Sequence, residues 1–343
     1  MASQRVTKLL RSVLGVKRKN IVCLGGGTGT FVTLSGLKNY PHNLSAIVTM
    51  SDSGGSNKRI RDEFGLLPTS DIRQCLIALS AEKGRIGLLR ELFMYRFEKG
   101  TGISGMTFGN LFMAALSDIL GSQEEAIKQT GKVLRINGTV IPVSFTDTNL
   151  FATYENGHVV TEEHLIDEPE HDGTLKITDL YLKPKAVANT QALDAIKKAD
   201  LIVLGPGDLY TSLLPNLLVD KIADAIKASS AKKVYVMNLM TKFGQTYNYT
   251  AADHVGVIEK YIGKSLDYIL VNTFPYPQSV IKKYKAMKEF PVVDDLEEKA
   301  YYRVVRRPIV SSFLVEKGAS DNLKRSLIRH DSEKLAKELT QLV

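Results

Sequence analysis

Short apolar runs without in–out alternation recur along the chain, each ending in glycine or small polar residues. Asn20–Leu24 (NIVCL), Ser45–Met50, Leu201–Leu204 (LIVL), Val234–Met237 and Tyr268–Val271 stand out. Runs apolar on both faces predict strands of a parallel sheet covered by helices on each side. Helical stretches fall between them: a segment opening at Phe31, then 190–198, 213–229 and 253–262, and an amphipathic one over 331–342 led by Asp and Ser. The middle differs. Residues 131–181 hold short β-type pieces joined by Asn-Gly and other polar turns, which predicts an antiparallel insertion. The pattern predicts an α/β fold: Rossmann-like, three-layer α/β/α, with a mainly parallel sheet and a small β-rich insertion at about 131–181.

Composition agrees with a full-sized core, since 44% of the 343 residues are hydrophobic. The two cysteines, Cys23 and Cys75, are too few for a disulfide framework, and Cys23 sits in an apolar strand where a buried thiol is expected. No apolar stretch approaches the ~20 residues that cross a bilayer. The net charge of +8 suggests nucleic acid until it is placed on the chain. Arg5, Lys8, Arg11, Lys17, Arg18 and Lys19 supply six of those charges, with no acid among residues 1–19; the rest carries 39 basic against 37 acidic residues. Residues 1–19 therefore read as a basic extension, with Val6, Leu9, Leu10, Val13 and Leu14 able to line one helix face. Residues 20–343 read as a single, nearly neutral nucleotide-binding domain. With no Trp and few aromatics, nothing suggests a nucleic-acid platform.

The chemistry gathers at predicted strand ends. Gly25, Gly26, Gly27, Thr28, Gly29 and Thr30 follow the first strand. Such a turn brings backbone amides close to a ligand and offers the next helix's N-terminus to an anion. A dinucleotide fingerprint would need glycine at position 30, where Thr30 stands, and no Gly-Lys-Ser/Thr follows as in a P-loop. Strand two delivers Asp52, and a Pro-containing turn leads to Asp71 at a helix start, where capping competes with ligand contact. Asn110, in GMTFGNL, faces the same choice. A second glycine loop, Gly205, Pro206, Gly207, Asp208, Leu209, Tyr210, Thr211 and Ser212, repeats the first, and Asn238 ends a further strand. Ligands of open α/β sheets bind outside these carboxyl ends, so a nucleotide-like site is predicted there. Asp52, Asp71 and Asp208 could jointly hold Mg²⁺ over a diphosphate or simply fix a ligand. No nucleophile elbow, zinc motif or Cys/His cluster is present, so the sequence assigns neither a catalytic residue nor a metal site.

GGGTGTF, TMSDSGGS, DIRQCLIALS, FGNLF, VLGPGDLYTSLLPNLL, NLMTKFGQT and YTAADHV, in this order between about residues 20 and 339, resemble the bacterial gluconeogenesis factor family. Its relatives include the 2-phospho-L-lactate transferases of deazaflavin coenzyme synthesis. The resemblance implies a cytoplasmic protein that binds a UDP-sugar such as UDP-N-acetylglucosamine. It implies a role in normal cell shape and cell-wall precursor balance during growth on gluconeogenic carbon, exerted through a protein partner in cell-wall or central metabolism. It also implies that Tyr284 and Arg329 contact the sugar nucleotide, by ring stacking and by a bidentate clamp on phosphate. A closed homodimer is the commonest assembly for such chains.

The chain departs from the family pattern at several places. Ser53 stands where the family commonly has a second Asp, and Thr69-Ser70 precede Asp71 where it has Pro-Gly. Asp208 replaces a Ser, and Lys242, Phe243 and Gln245 replace Gln, Pro and Glu. One acid fewer at position 53 weakens an ion site, which favours a binding protein over an Mg²⁺-dependent transferase.

Overall fold

A computed structural model describes residues 18–81, 84–311 and 326–343. Most of the basic extension (1–17) lies outside the described residues.

Among the described residues, ten strands form two sheets. They are β1 Asn20–Gly25, β2 Asn43–Val48, β3 Thr139–Pro142, β4 Asn149–Tyr154, β5 Val159–Thr161, β6 Ile177–Lys183, β7 Leu201–Leu204, β8 Lys232–Val236, β9 Tyr268–Asn272 and β10 Arg303–Arg307. Seven make the central sheet, in the order β10-β9-β8-β7-β1-β2-β3, with every neighbouring pair parallel. The chain runs outward from β1 to β3, returns to place β7 beside β1, and runs outward again to β10. Strand order thus reverses between β1 and β7, which opens a crevice at their carboxyl ends.

Successive residues of the central strands feed different cores. Ile21 and Cys23 pack with Ala46, Val48, Val203 and Leu335, whereas Val22 and Leu24 pack with Ile47, Ile202, Leu204 and Ile258. This two-sided burial is why the strands lack alternation. Helices Gly27–Leu37, Ser70–Leu79 and Ser332–Gln341 cover the first face, and Thr190–Lys198, Ile222–Ala228 and Ala251–Ile262 the second. The first and last helices pack so closely that a Cβ on Gly36 would stand 1.9 Å from the Ser332 carbonyl oxygen.

The insertion is antiparallel, order β5-β4-β6, but it starts later than the sequence pattern suggests. Residues 131–133 end helix Gln123–Val133, and Thr139–Pro142 is the edge strand β3 of the main sheet. The stretch 213–229, expected as one helix, is a π-helical turn Leu209–Leu213 followed by Leu214–Leu217 and Ile222–Ala228. Pro215 near the start of the second piece cannot donate a backbone hydrogen bond.

Candidate functional site

The two glycine loops meet at the β1/β7 crevice. Gly27 opens helix Gly27–Leu37 with φ +60°, and Gly205 turns the chain out of β7 with φ +74°; both are left-handed conformations suited to glycine. A Cβ on Gly29 would lie 2.1 Å from the Pro206 carbonyl oxygen, so the loops are in direct backbone contact. Asn216, fully buried, donates to the carbonyls of Gly25 at 3.2 Å and Ser212 at 2.9 Å and ties the loops together. Asn238 donates to the Gly207 carbonyl at 2.8 Å and accepts from the Tyr235 hydroxyl at 2.9 Å. Thr28 and Ser212 are half-buried at the loops, whereas Thr30 is buried and turns back to the Gly26 carbonyl.

Acidic groups crowd this crevice. Gly26 precedes the first helix with no side-chain cap of its own, and Asp71 takes that place, accepting from the Gly27 N–H. A Cβ on Gly26 would stand 2.3 Å from Asp71 Oδ2. Asp52, just beyond β2, accepts from Gly54 N–H at 2.9 Å and from Asn57 Nδ2 at 2.5 Å. Asn57 Oδ1 in turn accepts from Thr69 N, Ser70 N and Ser70 Oγ, which locks Asp52 to the helix bearing Asp71.

The insertion supplies two further acids from the short helix Glu163–Asp167. That helix docks on the β2 loop: Ser53 Oγ lies 3.1 Å from both the backbone nitrogen and Nδ1 of His164. Glu162, which leads into it, holds φ +76°, a strained conformation for a residue with a Cβ. Glu163 hydrogen-bonds Asp52, and Asp167 hydrogen-bonds Asp208.

Carboxylates so placed hold their protons more tightly than usual. Burial, then the Asp52 charge, pushes Asp71 up to about 7, against the Gly27 N–H. Burial and the Asp167 charge raise Asp52, and burial with Asp52 and Asp167 raises Glu163 well above the usual range. Burial lifts Asp208 to about 6, opposed by Lys242 and assisted by Asp167. The acids touch in pairs; among the described residues no three His, Cys, Asp or Glu side chains already stand as a metal-ligand set. Their hard oxygen donors nevertheless suit Mg²⁺, and a shared proton between two carboxylates is what a divalent cation would displace.

Other expected residues lie outside this crevice opening. Asn110 is fully buried behind Asp71's helix, where it accepts from Arg73 Nε at 2.9 Å and donates to Ser70 Oγ at 3.2 Å. The Tyr210 hydroxyl is paired with that of Tyr249 at 2.8 Å in the core. Tyr284 is buried against Leu239, Val280, Val310 and Ile328, and its hydroxyl accepts from Leu327 N at 2.9 Å and Ile328 N at 3.2 Å. Its ring therefore offers no free stacking face, and its contacts fix the segment that carries Arg329. The next residue, His330, is buried with its ring bonded to the Met237 carbonyl, which places this segment beside the end of β8; burial pushes its pKa down to about 4.

Sequence reasoning did not find Glu163, Asp167, Asn216 or Lys242. The run Glu162–Asp167 (EEHLID), dense in ionisable groups inside the insertion, was the available signal for two of them.

The family model described as 2-phospho-L-lactate transferase CofD matches residues 21–310. The gluconeogenesis factor of Bacillus subtilis is 41% identical over 334 residues, 96% of this chain and 99% of that protein. That of Listeria monocytogenes is 38% identical over 329 residues, covering 95% of this chain and 96% of that protein. A crystal structure of a Bacillus halodurans protein superposes with a TM-score of 0.84 at 39% identity, over 94% of this chain and 100% of that one.

Proposed function

The chain belongs to the 2-phospho-L-lactate transferase CofD family and to its gluconeogenesis factor relatives, and from that premise we propose that it is a UDP-sugar-binding regulatory protein. The observation that carries this reading is the contact of two glycine loops, Gly25–Thr30 and Gly205–Ser212, at the strand-order reversal between β1 and β7. The glycine-rich backbone of the two loops favours a diphosphate there, while Thr30 departs from the dinucleotide spacing. Arg329, on the segment fixed by Tyr284, would approach the ligand from the β8 side. UDP-N-acetylglucosamine is the ligand we favour. In this reading the protein acts in the cytoplasm, where ligand occupancy controls contact with a protein of cell-wall or central metabolism. It thereby sustains cell shape and precursor balance on gluconeogenic carbon. Among the described residues no helix is long and apolar enough to cross a membrane.

The acidic cluster favours a second reading, a transferase acting on a nucleotide-activated substrate. Mg²⁺ would be held by Asp52 and Asp71 with Glu163, and when bound would neutralise diphosphate charge. Asp208 is already engaged by Asp167 and Lys242. The chain's own part is to bind and orient: the loops present amides, and Asn57 fixes Asp52.

The deciding experiment incubates the purified protein with UDP-N-acetylglucosamine or a phospholactate joined to a nucleoside monophosphate through a diphosphate bridge, with Mg²⁺ and a deazaflavin acceptor, and follows phosphorus NMR. The regulatory reading expects saturable UDP-sugar binding with the nucleotide intact. Release of nucleoside monophosphate with a transferred phospholactate establishes the second reading instead.

A further inference from the structure

Lys242 lies in the loop beyond β8, and three surrounding contacts hold it in place. Its backbone nitrogen donates to Thr246 Oγ1 at 2.9 Å, and its carbonyl accepts from Thr246 N at 2.8 Å. The adjoining Gly244 N–H donates to the insertion's Gly173 carbonyl at 2.9 Å. From this fixed backbone the side chain reaches inward, mostly covered, and its ammonium stands 3.3 Å from Asp167 Oδ1. Burial disfavours that charge, but the neighbouring carboxylates of Asp208, Asp167 and Glu289 outweigh burial and keep it protonated. Gln245 Nε2 adds a 3.0 Å bond to the same Asp167 oxygen and lies 3.4 Å from Thr211 Oγ1, so the arrangement joins the glycine loop, the insertion and the β8 loop.

The position of Asp208 needs explaining. It sits between Gly207 and the π-helical turn Leu209–Leu213, in the loop whose backbone faces the crevice. A carboxylate there repels an anionic ligand, and Asp167 beside it adds to the repulsion. Arg73 is bonded to Asn110, and Arg61 to Asp147, Asn149 and the Thr148 carbonyl.

We propose that Lys242 is a specificity-determining residue that, through its ion pair with Asp167, offsets the acid pair of Asp167 and Asp208, so that the Gly205–Ser212 loop accepts a diphosphate despite the acid it carries. The inference rests on the diphosphate placement above but not on the identity of the nucleoside or sugar. Replacing Lys242 leaves Asp208 uncompensated and the ligand repelled. Removing both charges restores a neutral loop.

The test is a double-mutant cycle read by calorimetry, with UDP-N-acetylglucosamine and inorganic pyrophosphate as separate probes and thermal unfolding as the fold check. Lys242→Gln is expected to weaken both probes at least tenfold, and Asp208→Ser to leave them within threefold or tighten them. The Asp208→Ser/Lys242→Gln double variant should return to within threefold of the parent. Lys242→Arg, which keeps the charge, should stay within fivefold, and with the double variant it decides the matter if Lys242→Gln proves too unstable to titrate. Parent-like binding by folded Lys242→Gln, or a double variant as weak as Lys242→Gln, overturns the proposal. A lowered Tm with unchanged affinity does the same, since it assigns Lys242 to docking the insertion. Parent protein that binds pyrophosphate in a Lys242-dependent way but no UDP-sugar refutes the UDP-sugar reading and leaves this inference standing. Binding of neither probe overturns both.

Discussion

Gly29 and Pro206 lie in backbone contact: a Cβ on Gly29 would stand 2.1 Å from the Pro206 carbonyl oxygen and 3.0 Å from Gly207 N. The residues are far apart in sequence, and their contact sets the width of the crevice between the two loops.

Gly29→Ala should therefore push the Gly205 loop away, costing about 1–3 kcal/mol of stability, as overpacking does, and weakening ligand binding. Gly256→Ala is the matched control. That glycine lies exposed inside helix Ala251–Ile262 with nothing within 4 Å of the added Cβ, so alanine should stabilise by about 0.5–1 kcal/mol. Denaturant unfolding of the two variants checks both signs. Equal and small effects would mean that the loops do not touch in solution.

Asp71 gives a pH signature. Its folded value, about 7, lies above the ~3.9 of an unfolded aspartate, so the unfolded chain releases this proton first as pH rises. Its contribution to stability is complete below about pH 4 and is lost progressively toward pH 7. Buried His330, with its value lowered to about 4, acts in the opposite direction between about pH 4 and 6.5, so the useful quantity is a difference at each pH. The Tm of Asp71→Asn minus that of the parent should rise from pH 4.5 to 7 and then level off. A constant or falling difference would show that Asp71 is ordinarily acidic in the fold.

Tyr284→Phe keeps the ring and removes the acceptor of two backbone N–H groups, those of Leu327 and Ile328. Leaving buried donors unpaired costs about 1–3 kcal/mol, so Phe should lower stability even though it would preserve a stacking surface. Through the loosened 327–329 segment, UDP-N-acetylglucosamine affinity should fall severalfold. A phenylalanine variant with parent stability and affinity would show that the hydroxyl does not fix this segment.

The strand-end loops and five central strands are readable in sequence because burial on both faces leaves uninterrupted apolar runs, as in NIVCL and LIVL. Strand β10, RVVRR, is not: an edge strand with three arginines and two half-buried valines lacks that signal. Asp52 and Asp71 are legible from their motifs, but Glu163 and Asp167 enter the crevice only through tertiary docking of His164 on Ser53, 111 residues away. Tyr284 reads as a surface residue among lysines because its burial comes from Val310 and Ile328, distant in the chain. Lys242 lies in the NLMTKFGQT motif, but nothing in that motif marks it as a partner for acids. Its role depends on which acids the fold brings to it.

The most direct test of the account is calorimetric titration of the parent protein with UDP-N-acetylglucosamine and, separately, with NAD(H), each with and without Mg²⁺. Saturable binding of UDP-N-acetylglucosamine at least tenfold tighter than NAD(H), about 1.4 kcal/mol, is the predicted result. NAD(H) binding as tight or tighter, or no heat from the UDP-sugar under any condition, would contradict it.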